Sequence, residues 1–167
     1  MARERERIVV GADFSPAGDA ALGRVETLCG RGAPVRIDLA YVVAPLDVPS
    51  AFDLADAGHE QAHERAAAAA LATAAARLRR RLGAPARVFT HLLHGAPWVE
   101  ICALATRRGA SLIVVGRHAH PGTAQTLIGS VADRVVRLAP CAVLVVPRPA
   151  PAPSSPRTRT RGGRRRA

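Results

Sequence analysis

Lysine is absent from this chain, so all 24 basic side chains are arginine. Aromatic residues are scarce at 3%, with one Trp, one Tyr and three Phe. A core must therefore be assembled from Ala, Val, Leu and Ile, and there is little material for stacking bases of single-stranded nucleic acid. Cysteine is also rare. Cys29, Cys102 and Cys141 are odd in number, widely spaced and without a Cys-x-x-Cys pair, which reads as buried free thiols of a reducing compartment. No apolar run approaches the length needed to span a membrane, since even the alanine-rich run from Ala66 to Ala76 is stopped by Arg77. The opening MARERERIVVGAD has mixed charge and only a very short apolar run, unlike a secretory signal. A cytoplasmic protein is the expectation.

What is present fits one domain. The length of 167 residues and an apolar fraction of 49% suffice for a core. The net charge of +11 resembles a nucleic-acid signature until it is located: seven arginines lie after Pro147, where there is no acid, leaving +4 for the part before. Residues 148–167, RPAPAPSSPRTRTRGGRRRA, have almost no large apolar side chain and are expected to be disordered, with a polyproline-like first half. Their arginines suit weak, salt-dependent contact with nucleic acid or another acidic partner, or simply keep the tail solvated. The globular domain is expected over residues 1–147.

Five strands alternate with four helices along that domain. Arg7 to Gly11 is a short apolar run with Asp13 just past its end, and Pro16 to Leu28 shows helical spacing. Val35 to Val43 supplies a second strand, followed by a proline-broken loop to about Ala57 that is either a lid or an irregular surface segment. A long helix from Gly58 to Leu82, a strand from Arg87 to Leu93, and a helix opened by Gly95-Ala96-Pro97 follow. The apolar face of that helix is read as Trp98, Ile101, Cys102 and Ala105. His91 and His94 are expected as half-exposed neighbours of the sheet.

The stretch from Ser111 to Pro147 organises the rest. Leu112 to Val115 and Ala142 to Val146 are aliphatic runs without polar alternation, the habit of parallel strands covered on both faces. Between them lie a loop opened by Gly116 and closed by Gly129 and a short helix begun by Ser130. Such a loop leaves the carboxyl end of a strand and meets a helix N-terminus, where unpaired N–H groups and the helix dipole attract anions. The plainer reading is that Gly116 turns the chain and Ser130 caps its helix, in a capping-box spacing with Asp133. Asp13, at the same edge of the sheet, either faces a nucleotide's ribose or metal or satisfies backbone N–H groups of its own turn.

One sharper pattern is set aside. His59-Glu60-Gln61-Ala62-His63 matches H-E-x-x-H, in which two imidazoles one turn apart bind zinc. Ala69 stands where a third imidazole of such a site would fall, and no carboxylate occurs between Glu64 and Glu100. The pattern reads as a solvated first helical turn rather than a zinc protease.

Taken together, the parts resemble the universal stress protein family over residues 5–147. The matching pieces are Val9-Val10-Gly11-Ala12-Asp13-Phe14-Ser15, Leu39-Ala40-Tyr41-Val42, Gly95-Ala96-Pro97, Leu112-Ile113-Val114-Val115-Gly116-Arg117-His118, and Gly129-Ser130-Val131 leading to Pro140-Cys141-Ala142 and on to Pro147. The resemblance implies a three-layer α/β/α sandwich, Rossmann-like, with a five-stranded parallel sheet in the order 3-2-1-4-5. It implies ATP with Mg2+ as ligand, with Ala12 and Asp13 on the ribose side, Val42 at the adenine edge, Gly116 and Ala119 around the phosphates, and Gly129, Ser130 and Val131 at the terminal phosphates. The family's nucleotide-binding branch has glycine where Ala119 stands, so weakened affinity is expected. It also implies a homodimer through the last strand, Ala142 to Val146, and a stress-response switch rather than a fast enzyme. The alternative is a homodimeric interaction protein without nucleotide, working through its dimer surface and basic tail.

Overall fold

The computed structural model of the chain describes residues 6–44, 57–117 and 129–148, with residues 57–60 described by backbone alone. The elements run β1 (Glu6–Gly11), α1 (Pro16–Cys29), β2 (Val35–Val43), α2 (Ala57–Leu82), β3 (Arg87–His94), α3 (Pro97–Arg108), β4 (Leu112–Arg117), α4 (Ser130–Leu138) and β5 (Ala142–Pro147). All four strand pairings are parallel, and the order is β3-β2-β1-β4-β5.

The three layers follow from alternation along the strands, whose successive side chains point to opposite faces. Ile8, Val10, Ile37, Leu39, Val88 and Val114 pack with Leu22 and Val25 of α1 and Leu71, Leu78 and Leu82 of α2. Val9, Ala40, Ile113 and Val115 pack on the other side with Ile101 and Leu104 of α3 and Val135 of α4. Branched and linear aliphatics fill both layers, as the shortage of aromatics required. No helix among the described residues is long and apolar enough to cross a membrane.

Several sequence expectations need correction. Gly116 does not open the loop: it lies within β4, paired with Val146, because the ladder with β5 continues to Arg117 and Pro147. The capping box does not form. Gly129 is the N-cap of α4 and supplies no side-chain hydrogen bond, Ser130 is the first helical residue, and Asp133 instead accepts from Arg137 Nε at 3.0 Å, one turn on. The buried face of α3 is centred on Ile101, Leu104 and Ala105, with Trp98 and Cys102 only partly covered. The three cysteines are free but half-buried rather than buried. Burial still pushes each thiol above its ordinary value, helped by Glu6 at Cys29 and by Cys141 at Cys102, so thiolate chemistry is disfavoured.

Expectations for the tail, for the loop between Pro45 and Ala57, and for Ala119 lie outside the described residues.

Candidate functional site

At the carboxyl edge of the sheet the ends of β1, β2 and β4 meet the first turns of α3 and α4 around a cavity of about 530 Å³. Sites for small ligands typically measure about 300–1,000 Å³. Ala12, Asp13, Val42, Gly116, Gly129, Ser130 and Val131 all line it, drawn from segments far apart in sequence. This is the edge where strand order reverses between β1 and β4, the switch point at which open α/β sheets place ligands.

Its walls divide by chemistry. One is apolar: Ala40, Pro97, Ile101 and Val115 give a dry surface suited to a flat ring. The start of α4 also borders the cavity, and its N-cap Gly129 offers no side chain to the first N–H groups, the kind of helix start that attracts an anion. Gly116 marks where the fold is tightest, since a Cβ there would lie 2.6 Å from the carbonyl carbon of Ala17 and 2.8 Å from the backbone nitrogen of Gly18. The first turn of α1 therefore lies directly on β4.

Asp13 is held by its own turn. Its Oδ1 accepts from the backbone N–H of Ser15 at 2.9 Å, and the Ser15 hydroxyl in turn accepts from Gly18 N–H at 3.1 Å, capping α1. The turn reading of this residue is thus met, and its exposed carboxylate also borders the cavity. Between Asp13 and Ser15, Phe14 adopts φ 54°, a left-handed conformation unusual for a bulky side chain. Its ring stacks on Tyr41 with centroids 5.4 Å apart and planes 15° from parallel. The Tyr41 hydroxyl meets His63 Nε2 at 2.9 Å.

Sequence reasoning missed several wall residues. Tyr41, Pro97 and Ile101 were visible as strand end, helix opener and apolar-face residue, yet only the crossing of α3 over β1 and β2 brings them to one cavity. Among the described residues no cluster of His, Cys, Asp and Glu is arranged to hold a metal ion. His63 is engaged with Tyr41, and His94 Nε2 lies 2.6 Å from Glu64 Oε1.

Comparison with known proteins converges on one group. The model of the universal stress protein family matches residues 4–147. A universal stress protein of Methanocaldococcus jannaschii is 43% identical over 63 residues, which is 38% of this chain and 37% of that protein. The chain thus spans only about a third of the length of the curated relatives it matches. Among solved structures, UspA from Lactobacillus plantarum superposes with a TM-score of 0.72 at 25% identity, covering 86% of this chain and 99% of its own. A universal stress protein family protein from Arabidopsis thaliana with AMP bound shares the fold at 19% identity and a TM-score of 0.56, covering 90% and 97%.

Proposed function

The chain belongs to the universal stress protein family, and from that premise we propose that it binds an adenine nucleotide in the cavity at the carboxyl edge of its sheet and acts as a stress-response regulator. The observation that carries the reading is that Asp13, Gly116 and Gly129 to Val131, from three separate segments, border a single cavity that also has apolar wall residues and a helix start whose N-cap is a glycine. A nucleotide has the matching halves, a flat apolar base and a polyphosphate. The AMP carried by the Arabidopsis protein of the same fold supports this choice of ligand. In our reading Ala12 and Asp13 face the ribose, the backbone of Val42 the adenine edge, and Gly116, Gly129, Ser130 and Val131 the phosphates of ATP, with Mg2+ neutralising part of their charge. The nucleotide is a switch ligand rather than the substrate of a fast hydrolase.

Two measurements test the proposal. Denaturing the purified protein should release an adenine nucleotide, and calorimetric titration with ATP and Mg2+ should give saturable heat. Ala119→Gly should tighten that binding, by up to about thirtyfold if position 119 must be left-handed, where a methyl costs about 1–2 kcal/mol. No released nucleotide and no heat from either protein would overturn the reading in favour of an interaction protein.

We also propose a homodimer through β5. Among the described residues this strand pairs only with β4, and its Val143, Leu144, Val145 and Val146 are half-exposed, an apolar edge of the kind proteins cover. Light scattering at micromolar concentration should give twice the chain mass, and a monomeric mass would end the idea.

A further inference from the structure

At the opposite edge of the sheet, where the strands begin, Arg7 of β1 is paired laterally with Arg36 of β2, and Arg36 with Arg87 of β3. Laterally paired residues of a parallel ladder share a face, so three guanidinium groups rise side by side. The last turn of α3 brings Arg107 and Arg108 to the same place, and the five arginines line a cavity of about 310 Å³.

Neighbouring like charges on a sheet oppose folding, and the contacts present offset them only in part. Among the described residues Asp38 is the one carboxylate engaged there: it accepts from Arg36 Nε at 2.9 Å and Arg36 Nη2 at 3.2 Å, and lies 3.5 Å from Arg108 Nε. It is shared with His91 at 2.8 Å. Arg7 Nη1 donates to the carbonyl of Arg108 at 3.0 Å. Arg87 and Arg107 make no hydrogen bond or ion pair among the described residues. The C-terminal dipole of α3 favours its own two arginines but gives no reason for the row on the strands.

We propose that this cavity is a binding site for an inorganic oligophosphate of the pyrophosphate or triphosphate type, separate from the cavity at the carboxyl edge. Planar guanidinium forks match phosphate oxygens two at a time, and five of them around one small cavity suit a compact polyanion. A nucleoside is disfavoured because the adjoining aromatic, Phe89, is already covered by the Arg36 guanidinium at 4.2 Å. A nucleic-acid backbone calls for an extended track of charge, whereas these arginines enclose a pocket.

The test is calorimetric titration of the full chain with inorganic tripolyphosphate in about 0.15 M salt, where contacts with exposed, scattered charges are largely screened. The wild type should bind one equivalent. Arg87→Gln/Arg107→Gln should weaken binding at least about tenfold, since two charge-assisted contacts are removed. Arg164→Gln/Arg165→Gln/Arg166→Gln, in the tail, should leave it within about threefold if those arginines act only through screened attraction. Thermal unfolding gives an independent readout: tripolyphosphate should raise the wild-type midpoint but not that of Arg87→Gln/Arg107→Gln, whose midpoint without ligand should equal or exceed the wild type's. The proposal is overturned by an absence of heat with the wild type. It is equally overturned if Arg87→Gln/Arg107→Gln titrates like the wild type, or if the tail variant alone loses binding. Neither result bears on ATP, which is assayed separately at the other edge of the sheet.

Discussion

Replacing Asp38 with alanine is expected to lower the stability of the domain by about 3 kcal/mol, near the low end for removing one partner of a buried charge cluster. The residue sits in the middle of β2 at 1% exposure. Its two oxygens accept from Arg36 and from His91, and Arg108 approaches the second. Without the carboxylate, three basic side chains, Arg36, His91 and Arg108, converge on an empty volume beside the three other arginines of the same pocket wall. The low end applies because Arg36 and Arg108 are 29% and 40% exposed and can turn partly into water. The carboxyl's own acidity supplies a second check. Burial pushes its pKa up, but the hydrogen bonds from Arg36 and His91 and their charges outweigh this and hold it below the ordinary value. A carboxyl depressed in the native state contributes its full stability above its unfolded pKa of about 3.9 and loses it as the pH falls through the native value. Urea midpoints for wild type and Asp38→Ala should differ most near neutrality and draw together in acid. A gap that persists unchanged below pH of about 3 would show that packing rather than charge accounts for the loss.

How much of this was legible beforehand depended on the range of the interaction involved. β2 was bounded correctly from Val35 to Val43 because Gly32 and Pro34 on one side and Pro45 on the other punctuate the chain locally. The parallel sheet followed from aliphatic runs separated by helical segments. The exact ends of β4 did not, since pairing of Gly116 and Arg117 with β5 overrides the local preference of glycine for a turn. Ser130 and Asp133 have the spacing of a capping box, yet a helix that starts one residue earlier, capped by Gly129, leaves the serine inside it and hands the aspartate to Arg137. Asp38 was the larger omission. The alternation Val35-Arg36-Ile37-Asp38-Leu39 carries a usable signal, because side chains two apart on a strand share a face and an Arg-x-Asp pair there can bond. His91 and Arg108 could be added only once β3 and α3 were placed beside β2. The row Arg7, Arg36 and Arg87 is likewise a property of register, invisible in an arginine-rich sequence until the strands are laid side by side.

Gly116→Ala carries the second large effect, and it separates two roles that a glycine at this position combines. In the fold, the hydrogen in place of a side chain lets α1 rest on β4: an added methyl would meet Ala17 C at 2.6 Å, Ala17 O at 2.8 Å and Gly18 N at 2.8 Å, all backbone atoms that no rotamer change can move. The start of α1 must then lift from the sheet, carrying the Asp13 turn and the Ser15 cap with it, at a cost of about 2–3 kcal/mol for overpacking. Gly11→Ala is the control. Its methyl would meet the Cδ1 of Ile101 at 3.0 Å and a Val115 methyl at 3.2 Å, side-chain ends that can yield by a few tenths of an ångström, so a loss of about 1 kcal/mol or less is expected. Both glycines border the same cavity. If the phosphates lie against β4, Gly116→Ala should abolish ATP binding even at temperatures where the variant stays folded, while Gly11→Ala should weaken it only moderately by crowding the apolar wall. Equal stability losses in the two variants would place the tight contact somewhere other than between the first turn of α1 and the end of β4.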